Sequence, residues 1–145
     1  NEVFRDYVQN NRQYTGFEKC FERFMREIGY TEDIGLILSP IYADPYWGDD
    51  KWTFFNLFGT LDRESIYWNK PLGQLTYEPS DTPIHWLPSS GFADEFDECK
   101  EVWYVEFPYD SDWDFEKYRE QFEVEEELSV VLGQWKINAY RVAYN

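Results

Sequence analysis

The sequence predicts one α+β domain spanning residues 1–145: a mainly antiparallel sheet of five or six strands, with two or three helices packed largely on one face. Three observations lead there. One continuous apolar stripe at helical spacing runs from Phe17 to Ile28. From residue 34 to residue 87 it gives way to short aromatic and β-branched runs, with turn clusters about every 8–12 residues. The chain has 145 residues, 43% of them hydrophobic, with 7 Trp, 12 Tyr and 12 Phe. That is the size of one domain, and its rings bury enough surface to offset the entropy of ordering. Mean hydropathy is low at −0.69, but a disordered chain would be poor in aromatics.

The clearest element is a helix over residues 15–29. Thr15 and Glu18 have capping-box spacing. Phe17, Cys20, Phe21, Phe24, Met25 and Ile28 form its apolar stripe, and Glu22–Arg26 and Arg23–Glu27 are i,i+4 pairs on the other side. Gly29 is the expected stop. Val3, Phe4, Tyr7 and Val8 suggest a shorter helix before it. Strands are expected at 34–38, 52–61, 65–68 and 74–77, with turns at 45–51, 62–64, 69–73 and 79–83. Residues 88–98 read as an exposed acidic loop, and 102–107 as a strand rich in Val, Trp, Tyr and Phe. A second helix is expected after Pro108, with Ser111 as N-cap, Phe115, Tyr118 and Phe122 as its stripe, and an end near Glu123. A hairpin follows. Leu128, Val130 and Leu132 alternate, Gly133-Gln134 suits a two-residue type II′ turn, and Trp135, Ile137 and Ala139 resume the alternation.

Charge bounds the function. The net charge is −16, from 29 acids and 13 bases. Such a field repels nucleic-acid phosphates and anionic membranes, and speeds encounter with basic partners. It is also uneven. Residues 94–127 hold 15 acids against 3 bases, interleaved with Phe96, Trp103, Tyr104, Phe107, Tyr109, Trp113, Phe115, Tyr118 and Phe122. Solubility alone needs a net charge of only about 2–8 in magnitude. Acids among large rings suit a face that steers in Lys and Arg and anchors them with aromatics. The residues expected to meet a partner are Asp94, Glu95, Asp97, Glu98, Tyr109, Asp110, Asp112, Trp113, Asp114, Glu116, Glu123 and Glu125.

The expected function is that of an acidic inhibitor which occludes a basic protein: a toxin, a nuclease or another nucleic-acid-binding protein. An immunity protein or antitoxin against a nuclease toxin is the preferred form, and a phage-type nucleic-acid mimic its close relative. Nucleic acid also presents anionic groups around flat rings, so the analogy is one of composition. Neither nucleic acid nor a membrane is an expected direct partner. The alternative is a carbohydrate-binding or carbohydrate-cleaving domain, with Trp47 among Asp44, Asp49 and Asp50 stacking on a sugar and two carboxylates about 5–9 Å apart doing the chemistry.

Catalysis, cofactors and metals find little foothold. The run Asp110-Ser-Asp112-Trp-Asp114-Phe-Glu116 resembles half a Ca²⁺ loop, but Phe115 and Gln121 stand where an EF-hand needs Gly and Glu. His85, the single histidine, lies between Ile84 and Trp86 and reads as a partly buried structural residue; one histidine cannot build a multi-histidine zinc site. No nucleophile elbow, zincin, P-loop or dinucleotide motif occurs. The expectation is therefore no enzyme, no cofactor and no metal. Cys20 and Cys99 fall in no C-x-x-C pair, and two free thiols in a reducing cytoplasm are expected.

Overall fold

A computed structural model describes residues 18–38, 66–87, 93–106 and 115–144. Residues 18–28 form helix α1, which buries Cys20, Phe21, Phe24 and Met25 and exposes Lys19, Arg23, Arg26 and Glu27. The Gly29 N–H donates to Arg26 O (3.1 Å) and the Tyr30 N–H to Met25 O (3.0 Å), with Gly29 at φ +62°. That is a Schellman termination, and Tyr30 and Met25 supply the apolar contact that accompanies it.

The strands are β1 (Ile34–Leu38), β2 (Tyr67–Asn69), β3 (Gln74–Thr76), β4 (Thr82–Pro83), β5 (Trp86–Leu87), β6 (Glu101–Glu106), β7 (Phe122–Leu132) and β8 (Trp135–Tyr144), with a one-turn helix α2 (Ala93–Phe96) between β5 and β6. A five-stranded sheet has the order β5-β1-β6-β8-β7, and a three-stranded sheet the order β3-β2-β4. In the larger sheet β1 is parallel to both β5 and β6, while β6–β8 and β8–β7 are antiparallel.

The expected fold is corrected in two respects. The main sheet is mixed rather than mainly antiparallel. Moreover, the described residues hold one helix longer than a single turn, where two or three were expected on one face. Both differences have a physical cause. The apolar runs of β1 and β6 do not alternate, because both faces of this sheet are covered, and such runs suit parallel pairing. The regular turns that suggested up-and-down pairing belong to the small sheet and to the β7–β8 hairpin. The expected helix ending near Glu123 is replaced by two 3₁₀ turns, Phe115–Lys117 and Arg119–Gln121, and β7 begins at Phe122. Phe115, Tyr118 and Phe122 have helical spacing, but Phe122 pairs with Tyr144 in the sheet, and the chain before it buries Phe115 through 3₁₀ turns instead. The expected turn at 79–83 also contributes a two-residue strand, β4, which pairs with β2. The proposed helix around Val3–Val8, the strand at 52–61, the Thr15 cap and the Ser111 cap lie outside the described residues.

Two cores sandwich the main sheet. On one side α1 packs on Ile34, Leu36, Trp103, Val105, Val130, Ile137 and Ala139. On the other, α2 and the 3₁₀ turns cover Ile37, Val102, Tyr104, Phe122 and Val142, with Phe96 and Phe115 inserted. Side chains alternate along a strand, so Phe122, Val124, Leu128 and Val130 would all share one face if β7 were regular. A bulge between Val124 and Glu126 breaks the register. It turns Phe122 and Val124 to the α2 side and leaves Leu128, Val130 and Leu132 on the α1 side. The hairpin closes through Gly133-Gln134, with Leu132 opposite Trp135. Gly133 has φ +62° and no non-glycine among the described residues has positive φ, which is the type II′ turn expected.

Candidate functional site

The α2 side of the sheet is aromatic. Phe115 stacks on Tyr140 at 4.0 Å between ring centroids, and Arg119 lies over both rings at 5.1 and 5.7 Å. Next to this stack, Phe96 of α2 meets Tyr144 (4.3 Å) and Phe122 (6.4 Å), and Phe122 stacks on Tyr144 (5.7 Å). Phe96 and Phe122 are buried, whereas Tyr144 keeps 40% of its surface exposed. Asp97 and Glu98 follow Phe96, and Glu123 follows Phe122 and sits opposite Ala143. All three carboxylates are exposed, and none forms an ion pair with a described residue. The packing of Phe96 against Tyr144 thus sets Asp97 and Glu98, the next two residues of the chain, beside one partly exposed ring, whereas Glu123 alternates with Phe122 and projects to the α1 side.

Other expected contact residues have different work. Glu116 is held by Arg119 (2.6 Å), and this hydrogen bond draws its carboxyl below the usual range. The same guanidinium reaches Glu127 at 3.5 Å. Glu125 pairs with Arg141 (3.3 Å), as does Glu126 (3.5 Å). Arg141 shares its face with Ile137 and Ala139, so this group lies on the α1 side, across the sheet from Asp97. Asp94 lies in α2, whereas Tyr109, Asp110, Asp112, Trp113 and Asp114 lie outside the described residues, as do Trp47, Asp44, Asp49 and Asp50. On the α1 side, a hollow of about 340 Å³ is lined by Glu27, Ile28, Glu101, Trp103, Glu126 and Leu128. Its acids are each engaged: Glu27 by Arg23, Glu101 by the Trp103 indole N–H (2.9 Å), and Glu126 by Arg141. Glu106, buried in the sheet, is structural. Its carboxylate accepts the Phe115 N–H (2.6 Å) and an Asn138 side-chain N–H (3.0 Å).

One arrangement is invisible in the sequence. Cys99 Sγ lies 3.7 Å from His85 Nδ1, and His85 Nε2 lies 3.3 Å from Glu95 Oε2. A thiol, an imidazole and a carboxylate therefore stand in a row beside the edge strand β5. The available signal was Gly35, a glycine inside an apolar strand, which marks a close approach. A Cβ there would lie 2.8 Å from Cys99 Sγ and 2.7 Å from Leu87 Cδ1. Burial first, then the carboxylates of Glu95, Glu98 and Asp33, push the Cys99 thiol up. Cys20 is also free, but buried in the core on the α1 side, where its thiol is likewise pushed up by burial.

Among the described residues, no group of three or more His, Cys, Asp and Glu is arranged to hold a metal ion, and no helix is long and apolar enough to cross a membrane. No protein-family model, curated protein or solved structure matches the chain.

Proposed function

We propose that this chain is a binding protein rather than an enzyme, and that it occludes a basic protein with the Tyr144 patch. The observation that supports it most is a 40% exposed ring seated on two buried phenylalanines, with the exposed carboxylates of Asp97 and Glu98 following one of them in the chain. Such an assembly offers an aromatic anchor for Lys or Arg, with carboxylates placed to steer them in. Several other acids already have partners: Arg119 holds Glu116, and Arg141 holds Glu125 and Glu126. With a net charge of −16, the whole field assists approach of a cationic surface.

The form favoured is an immunity protein or antitoxin that neutralises a nuclease toxin, or a phage-type mimic of nucleic acid. On this reading it works in the cytoplasm, where two unbridged thiols persist. The test is affinity capture from the native host with wild type and with Asp97→Lys/Glu98→Lys in parallel. The expected result is a basic nuclease or nucleic-acid-binding protein that wild type retains and inhibits and the reversed variant does not. Equal retention and inhibition by both proteins would overturn the assignment.

A further inference from the structure

Cys99, His85 and Glu95 reach one another from three pieces of chain: the segment before β6, the residue before β5, and α2. The thiol proton has two acceptors, Glu95 O at 3.5 Å and His85 Nδ1 at 3.7 Å. The imidazole is held on its far side, where Nε2–H donates to Glu95 Oε2, which leaves Nδ1 as the basic nitrogen facing sulfur. Its backbone is fixed as well. The His85 N–H donates to the Tyr30 hydroxyl (2.7 Å), and His85 O accepts from the Leu36 N–H (3.0 Å). Cys99, His85 and Glu95 are all partly exposed, so a reagent can approach from solvent.

We propose that Cys99 is a thiol-exchange site which captures cationic disulfides, with His85 taking the thiol proton and Glu95 positioning the imidazole. In the exchange, the S–H proton passes to His85 Nδ1 as Cys99 Sγ attacks one sulfur of the disulfide. A new S–S bond forms and the old one breaks. The departing thiolate takes the electron pair and then the proton from His85. Cys99 is oxidised to the disulfide level, and one sulfur of the reagent is reduced to a thiol.

Two observations select this chemistry and this class of reagent. Acyl transfer needs N–H donors for a developing oxyanion. Both backbone N–H groups at the thiol are engaged, Cys99 N–H with Phe96 O (3.2 Å) and Lys100 N–H with Asp33 O (2.8 Å). Exchange between sulfurs needs no such donors. The groups facing the thiol are Asp33 and Tyr30 from the α1–β1 connection, His85 before β5, and Glu95 and Glu98 from α2 and its following turn. Three carboxylates favour a cationic reagent over an anionic one. Burial, together with these carboxylates, keeps the thiol protonated at neutral pH, so its reaction depends on a base.

Mass spectrometry of the intact folded protein tests this with cystamine, 2-hydroxyethyl disulfide and 3,3′-dithiodipropionate as cationic, neutral and anionic probes. Wild type is expected to react at Cys99 and not at Cys20, with cystamine fastest and dithiodipropionate slowest at low salt. His85→Gln should slow the neutral probe at least about tenfold near neutral pH, a floor set below the roughly 10²–10⁴-fold typical of general-base catalysis. The two proteins should converge at high pH, where hydroxide ionises the thiol. Modification of Cys20 would report unfolding of that variant, and Glu95→Gln then decides, with a slowing of the neutral probe expected. Equal rates in wild type and the intact variant near neutral pH, equal rates for the three probes, or a Cys99 that stays unmodified would each overturn the proposal.

Discussion

The two faces of the five-stranded sheet solve the same problem by different means. On the α1 side an amphipathic helix lays Phe21, Phe24 and Met25 on the strands, and the acids there are tied to Arg23 and Arg141. On the α2 side the cover is one helical turn and two 3₁₀ turns. The apolar area comes from rings, Phe96, Phe115 and Tyr140 among them. A regular helix closes its side. Short turns leave an aromatic, Tyr144, partly uncovered with carboxylates beside it. The difference teaches that an irregular cover leaves part of its aromatic layer at the surface, where a regular helix buries its own.

The strongest way to break that comparison is to remove the device that separates the faces. Deleting Glu125 restores regular alternation to β7 and turns Phe122 and Val124 to the wrong side. Burying such a side chain is worth about 1.5–3 kcal/mol, so a loss of at least ~3 kcal/mol is expected in urea denaturation. Glu125→Ala removes only an exposed ion pair and should cost at most about 1 kcal/mol. Equal, small losses for both would mean the bulge does not set the faces.

The irregular cover hangs on one buried carboxylate. Glu106→Ala strips the acceptor from the Phe115 N–H and is expected to cost about 1–3 kcal/mol, the penalty of a buried donor left unsatisfied. Faster hydrogen exchange at the Phe115 amide should accompany it, with amides in α1 unchanged. Exchange that quickens equally on both sides would show that the two covers open together.

A smaller effect sharpens the α1 side. Glu18 and Glu22 are both pushed up by burial, and Glu22 still accepts the Leu75 N–H (2.7 Å). A carboxyl whose folded pKa lies above its unfolded value binds more protons in the folded state, so stability falls as pH rises through that window. Glu22→Gln keeps an acceptor for Leu75 and removes the charge. It should be slightly more stable than wild type at neutral pH, by no more than about 0.5 kcal/mol. The gap should close as pH falls below the ordinary value of 4.5. Thermal melts across that pH range check it, and a Gln variant less stable at neutral pH would contradict the sign.

Local patterns carried what was legible in the sequence. The α1 stripe with its Gly29 stop, the span of β1 and the Gly133-Gln134 turn each lie within a few residues of chain. Strand order does not. That β1 pairs with β5 and β6 depends on contacts some 50 and 67 positions away, and two-residue strands such as Trp86–Leu87 show no period at all. The same order places His85 beside Cys99, so that row had no signature beyond Gly35. The helix expected to end near Glu123 rested on Phe115, Tyr118 and Phe122 at helical spacing, a pattern that two 3₁₀ turns and the start of β7 also satisfy. Of the expected contact residues, Asp97 and Glu98 come beside Tyr144 because Phe96 packs on it, a pairing that no spacing reveals, while Glu123 falls on the other face of β7.

Recognition by the Tyr144 patch is tested most directly by stopped-flow association with the captured basic partner over ionic strengths from about 0.05 to 0.5 M. The on-rate is expected to fall at least about tenfold across that range while the off-rate changes less, since steering is screened and a desolvated ring is not. Asp97→Lys/Glu98→Lys should lower the on-rate, and Tyr144→Ala should raise the off-rate. An on-rate indifferent to salt and to both reversals would show that the charge serves solubility and that the partner docks elsewhere.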